Sequence, residues 1–307
     1  MLLLFTILHP LVDACSVTVL VTGGMSWQRV VAYNALAFAL QFPLGVALDA
    51  RPRLVKGTFV ASLAMTLAGV GFCACGAWGE AALVLACVGN ALFHLSAGKS
   101  VLDAHEGKGG PIGLFISTGA LGLFAGMKLA GGYGLWCCIG FGVALAAVGV
   151  LAVRRWFRRA EACPSRDAVP CLSSPVFRPP LSFVFILFAL FALVAWRSWA
   201  GLLAGGMTNA AGLGFALAGA AVTWAGKAAG GCLVDRCGRW IVTAVSVVGS
   251  LSLCFLCRPE QAVLWLALLF VAQLATGPVL SLMYDKSGKA GGTAFGLNCL
   301  ALFTGSL

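Results

Sequence analysis

Charge is the scarcest ingredient of this sequence. Aspartate and glutamate together number 10 in 307 residues, and all charged side chains amount to 10%, against 61% hydrophobic. A soluble globular domain carries about 25% charged residues, so that class is excluded. Short segments of alternating polarity are lacking too, which excludes an outer-membrane barrel. No H-E-x-x-H, nucleophile elbow or phosphate loop occurs, so an enzyme is not expected. The 13 cysteines show no framework spacing, and Cys254 and Cys257 form a lone C-x-x-C without a second pair or a nearby histidine. The cysteines are read mostly as small apolar packing residues, with no metal and no cofactor expected. The first apolar run, from Leu2, lacks the basic flank and cleavage site of a signal peptide and carries His9 and Asp13. It is read as a retained helix.

What the sequence has instead is a series of apolar runs about twenty residues long, the length a helix needs to cross ~30 Å of hydrocarbon. The fold class expected is all-α: a polytopic membrane protein with about 11 transmembrane helices. They are placed near Leu2–Val21, Val30–Leu48, Val55–Gly76, Ala81–Leu102, Ile112–Ala130, Gly134–Val153, Leu181–Ala204, Leu213–Val234, Trp240–Leu256 and Ala262–Tyr284, with an eleventh from Thr293. That last run stops at Leu307, short for a crossing, so the second bundle is expected to be incomplete or the chain a piece of something longer.

Lysine and arginine outnumber the acids, 20 to 10, but the excess follows topology. With the turn after Asp49 taken as cytoplasmic, only Arg29, Lys128 and Arg258 fall in loops on the other side, as the positive-inside rule requires. Nucleic acid is therefore not an expected partner. The basic stretch Arg154–Pro180 divides the chain into a bundle over 1–153, a cytoplasmic linker over 154–180 and a second bundle over 181–307. Cys163 and Cys171 within it are expected to be reduced thiols. The linker either fixes orientation alone or also meets anionic headgroups.

One pattern, G-x-x-x-D-x-x-x-R, closes an apolar run in each half: Gly45, Asp49 and Arg53, then Gly231, Asp235 and Arg239, with Arg236 and Gly238 between the last two. Glycines let helices approach closely, and an acid at a helix entry can accept from free backbone N–H groups and meet the positive end of the dipole. The bland alternative is a tight turn with surface charges. The recurrence points to internal duplication. Six helices, a basic central loop and this motif after the second helix of each half resemble the major facilitator superfamily of secondary transporters. The resemblance implies a pseudo-symmetric two-bundle fold, with Gly45, Asp49 and Arg53 and with Gly231, Asp235, Arg236, Gly238 and Arg239 as conformational latches. The first copy departs from the pattern at Ala50 and Pro52, and the second matches it more fully. His9-Pro10-Leu11-Val12-Asp13, Phe93-His94 and Ala294-Phe295-Gly296-Leu297 are similar to the fosmidomycin-resistance-like branch of that superfamily.

Several polar residues lie within apolar runs. His9 and Asp13 are four residues apart and share a helix face, with Asp13 about 16–17 Å from Leu2 along the axis and so near the midplane. They are either a protonatable pair that couples to a proton gradient or a structural pair closing the bundle. Asn90 and His94 share a face in the same way, and His94 is either a site or a bonded packing residue. Asn34 and Gln41 line the same cavity or bond neighbouring helices. Arg197 binds an anionic group, serves as counter-ion to Asp13 or snorkels outward beside Trp196 and Trp199; Lys227 is expected to reach headgroups or water. Gly119, Gly122 and Gly126 stripe one helix, and Gly226 and Gly230 form G-x-x-x-G on another, both favouring close contacts.

The function expected is secondary active transport of a small organic solute by alternating access, as a proton-coupled exporter in the plasma or inner membrane with its N-terminus cytoplasmic. Its partners would be the solute, protons and the bilayer, and the chain would act as a monomer or dimer. The alternatives are a non-transporting membrane sensor or scaffold that keeps the fold, and a truncated, inactive transporter.

Overall fold

A computed structural model describes residues 1–76, 79–162 and 181–307, and helix is the regular secondary structure found among them. Nine stretches of the described residues are long and apolar enough to cross a membrane. One of them, Gly109–Arg158, has 50 residues, enough for two crossings, and leaves helical geometry at Tyr133 (φ −133°, ψ 35°). A shorter apolar helix, Gly291–Thr304, follows the last of the nine. Large apolar side chains such as Trp136, Phe188 and Phe255 face outward, the last 88% exposed, which suits hydrocarbon and not water.

Helices α1 (Leu2–Thr22), α4 (Val55–Ala74), α5 (Gly79–Ala104) and α7 (Gly119–Ala162) pack on one another. A second group comprises α8 (Leu181–Ala210), α9 (Leu213–Cys237), α10 (Arg239–Leu256) and α11 (Ala262–Gln273). Two seams join them: α3 (Gln41–Ala50) lies along α13 (Gly291–Thr304), and α6 (Gly109–Ser117) lies along α9. Both seams depend on missing Cβ atoms. A methyl at Gly45 would strike the backbone carbonyl of Gly292, and one at Gly231 would strike Gly109 and Gly113.

A proline inside a helix leaves its i−4 carbonyl without the N–H it would accept. In the second span, α2 (Trp27–Asn34) passes through a π-helical turn, Ala35–Ala39, before α3; Leu40 N–H donates to the Ala35 carbonyl at 3.0 Å, and Pro43 leaves the Ala39 carbonyl without its usual donor. The tenth crossing breaks at Leu274–Ala275, between α11 and α12 (Thr276–Lys286), four residues before Pro278. In α1, Pro10 cannot donate to the Thr6 carbonyl, and the Thr118 hydroxyl does so instead at 2.9 Å.

The structure differs from the sequence reading around the expected linker. Residues Arg154 to Ala162 continue α7 as helix, because the Trp156 ring is held edge-on against Phe5 and Phe59 at centroid distances of 5.1 and 4.9 Å. The remainder of that segment, including Cys163 and Cys171, lies outside the described residues. The cysteines among the described residues are free thiols, and Cys15, Cys87, Cys137, Cys138 and Cys299 are buried.

Candidate functional site

A cavity of about 430 Å³ lies between the two helix groups. His9, Asp13, Asn34 and His94 line it from one side, and Arg197, Lys227, Gln273, Thr276 and Asn298 from the other. It extends towards Met25 and Val30 in the α1–α2 region and towards Ser306, the end of the molecule opposite the Asp49 and Asp235 turns. Asn90, 1% exposed, sits behind Asp13; Gln41 is buried and bonds its own helix, donating to the Ala37 carbonyl at 2.6 Å.

The tightest polar cluster joins α1 to α5. His9 Nε2 lies 3.2 Å from Asp13 Oδ2, His94 Nε2 lies 3.5 Å from Asp13 Oδ1, and the two Nε2 atoms are 2.6 Å apart. Asn90 Nδ2 donates to Asp13 Oδ1 at 2.9 Å. The partners of the other ring nitrogens assign the protons: His9 Nδ1 faces the Phe115 carbonyl at 2.7 Å and His94 Nδ1 faces the Asn90 carbonyl at 2.9 Å. Carbonyls only accept, so both Nδ1 atoms carry hydrogen. Two neutral rings would then turn bare Nε2 lone pairs on each other and on the carboxylate. A proton shared between the two Nε2 atoms would relieve that repulsion. A tetrahedral metal ion, with bonds of about 2.0–2.1 Å, would instead hold its nitrogen ligands about 3.3 Å apart. The Nε2 spacing is that of a hydrogen bond, and the ligand atoms of His9, Asp13 and His94, all within 4.8 Å of one another, also form a group that could hold a metal ion.

The supports of this cluster were not legible as a site. The last carbonyls of α6 have no intrahelical backbone donors, and the Phe115 carbonyl accepts from His9 and, at 3.3 Å, from the Thr118 hydroxyl. Gly119, just after the break at Thr118, has no side chain where a Cβ would collide with Asp13 and His9. The other two glycines of that stripe face α1 likewise, Gly122 against Pro10 and Gly126 against Ala14 and Val17. Thr118 then ties the break to α1 through the carbonyl that Pro10 leaves open.

On the facing wall, Arg197 is 3% exposed and does not snorkel. Its Nη1 donates to Gln273 Oε1 at 2.8 Å and to Thr276 Oγ1 at 2.6 Å, residues that flank the break between α11 and α12. No ion pair between Arg197 and Asp13 exists among the described residues. Lys227, expected to reach headgroups or water, lines the cavity. The rotation of α9 imposed by Gly226 and Gly230, which press on the Phe270 and Leu274 carbonyls, turns it inward.

At the other end, each motif acid caps a helix of the opposite group. Asp49 accepts from Gly292 N (2.9 Å), Thr293 N (2.6 Å) and Thr293 Oγ1 (2.7 Å) at the start of α13, whose own N-cap residue provides no side-chain bond. Lys99 Nζ joins Asp49 at 2.6 Å and Asp103 at 2.8 Å. Asp235 accepts from Gly110 N at 3.1 Å at the start of α6. Arg239 pairs with Asp285, Gly238 takes φ 88° at the turn, and Arg53 and Arg236 are exposed. The weaker motif by sequence thus makes the stronger contact.

No family model and no curated protein matches the sequence. Solved structures do match in fold. The major facilitator superfamily transporter FucP in an outward conformation aligns with a TM-score of 0.60 at 13% identity, over 98% of this chain and 88% of that one. A variant of the E. coli fucose:proton symporter FucP aligns with a TM-score of 0.65 at 11% identity, over 99% of this chain and 88% of that one. This chain has the major facilitator superfamily fold.

Proposed function

We propose that the chain is a secondary active transporter that moves a small organic solute by alternating access, coupled to protons through His9, Asp13 and His94. The observation that carries this reading is a cluster that sets two imidazole Nε2 atoms 2.6 Å apart beside a carboxylate, placed on the wall of a cavity between two helix groups. The latches give the cycle its second element. Asp49 and Asp235 each hold a helix of the other group at the end away from the cavity mouth, so breaking those bonds while closing the mouth would turn the cavity to the other side.

In this reading the two helix groups rock against each other, and the turns at Asp49 and Asp235 face the cytoplasm with the N-terminus. The basic residues near those turns support that orientation. The cavity then faces outward in this state, and proton entry from outside would drive export from a plasma or inner membrane. One structure of like fold is named a proton symporter. The short motifs at His9–Asp13 and Phe93–His94 favour the fosmidomycin-resistance-like branch.

Purified protein in liposomes, loaded with a solute panel and subjected to an inward proton gradient, tests the proposal. Solute-dependent proton movement is expected for the parent protein and none for Asp13→Asn. Equal proton movement in the folded Asp13→Asn protein would remove the cluster from coupling, and no flux of any solute would favour a sensor or scaffold.

A further inference from the structure

The two walls of the cavity are unequal in charge. Asp13 is the one carboxylate among the described residues lining it, and His9, His94 and Asn90 already occupy that carboxylate. The opposite wall carries two cations with no anion of their own. Arg197 is 3% exposed, meets only neutral acceptors, and its Nε has no partner. Lys227 lines the same space, within electrostatic range of both Arg197 and Asp13. A buried guanidinium and a half-buried ammonium lining one cavity, with no carboxylate in ion-pair reach among the described residues, are unfavourable unless something negative arrives.

We propose that Arg197 and Lys227 form a subsite for the head of a small organic anion, a carboxylate or a phosphate ester, whose body lies on the apolar remainder of the cavity. Gln273 and Thr276 occupy Nη1 of Arg197 and fix the plane of the guanidinium, leaving its other edge for the incoming head. Val17, Leu20, Leu123, Leu202, Phe295 and Leu302 supply the apolar surface. An anion in this place compensates both cations and lies across the cavity from the proton cluster. The inference rests on reading the cavity as a solute site, but binding can be measured without transport.

The test is calorimetric titration of the purified full chain in detergent with four probes of similar apolar body: benzoate, phenyl phosphate, benzyl alcohol and benzylamine. Saturable binding is expected for benzoate or phenyl phosphate, and which of the two binds tighter assigns the head. The alcohol and the amine should bind at least about ten-fold more weakly. Lys227→Gln, which breaks no hydrogen bond seen in the structure, should weaken the anion by about ten-fold, and Arg197→Gln by more. Equal binding of the neutral probe, preference for the amine, no binding of either anion, or unchanged anion affinity in both folded variants would overturn the proposal. Anion binding without flux would leave the subsite standing and refute transport.

Discussion

Replacing Asp49 by asparagine should loosen the seam between α3 and α13 far more than the same change at Asp235. Asp49 is part-buried on the seam and receives two backbone N–H groups, one hydroxyl and the Lys99 ammonium. Asparagine keeps one acceptor oxygen but loses the charge. Each charge-assisted bond exceeds its neutral counterpart by about 1 kcal/mol, and the charge–dipole contact at the start of α13 adds about 0.3–1 kcal/mol. The seam therefore loses on the order of 3–4 kcal/mol, or about 10²–10³ in its opening equilibrium. Asp235 is exposed and accepts one bond of 3.1 Å, so its replacement should change opening by only a few-fold. Hydrogen exchange of the Gly292 and Thr293 amides in lipid nanodiscs reads this directly, because both are sealed by Asp49. Unchanged exchange at those amides in Asp49→Asn, or an equal response to Asp235→Asn at Gly110, would refute the reasoning.

Three further outcomes follow from the same structure. Gly119→Ala should disturb the His9–Asp13 contact, since its methyl has no space there, and should abolish solute-dependent proton movement while Gly131→Ala, which meets open space, leaves it unchanged. Gly231→Ala should cost about 1–3 kcal/mol of stability by forcing α9 from α6, visible as a lower unfolding midpoint. Trp156→Ala removes two ring contacts and should lower stability by about 3 kcal/mol, with faster proteolysis near Arg158; a midpoint equal to the parent's would show that the α7 extension is not held by this ring.

The sequence showed the fold well because hydropathy and length decide a membrane helix almost alone. It showed the two faces His9–Asp13 and Asn90–His94 separately, since a spacing of four fixes a shared face. It did not show that they meet, because helix rotation is set by packing: Gly119, Gly122 and Gly126 bring α7 against α1. The place of Lys227 on the cavity wall was hidden for the same reason, its inward turn following from glycine contacts of α9 with α11. Motif completeness misjudged the latches. Asp49 is strengthened by Lys99 and Asp103 from α5, residues distant in sequence and outside the motif, whereas the fuller second copy leaves Asp235 with one backbone partner. The helical start of the expected linker was hidden as well, because only the folded chain brings Trp156 to Phe5 and Phe59.

The central claim is that proton occupancy of His9, Asp13 and His94 selects which end of the cavity is open. Distances between spin labels at Arg51 and Lys289 on the latch face, and at Met25 and Leu307 at the mouth, test it in a cysteine-replaced protein in nanodiscs. Two populations at each face should exchange in opposite senses between acidic and alkaline pH, and Asp13→Asn should show a single pH-independent distribution. Distances that stay fixed across pH in the parent protein, or that shift equally in Asp13→Asn, would contradict it.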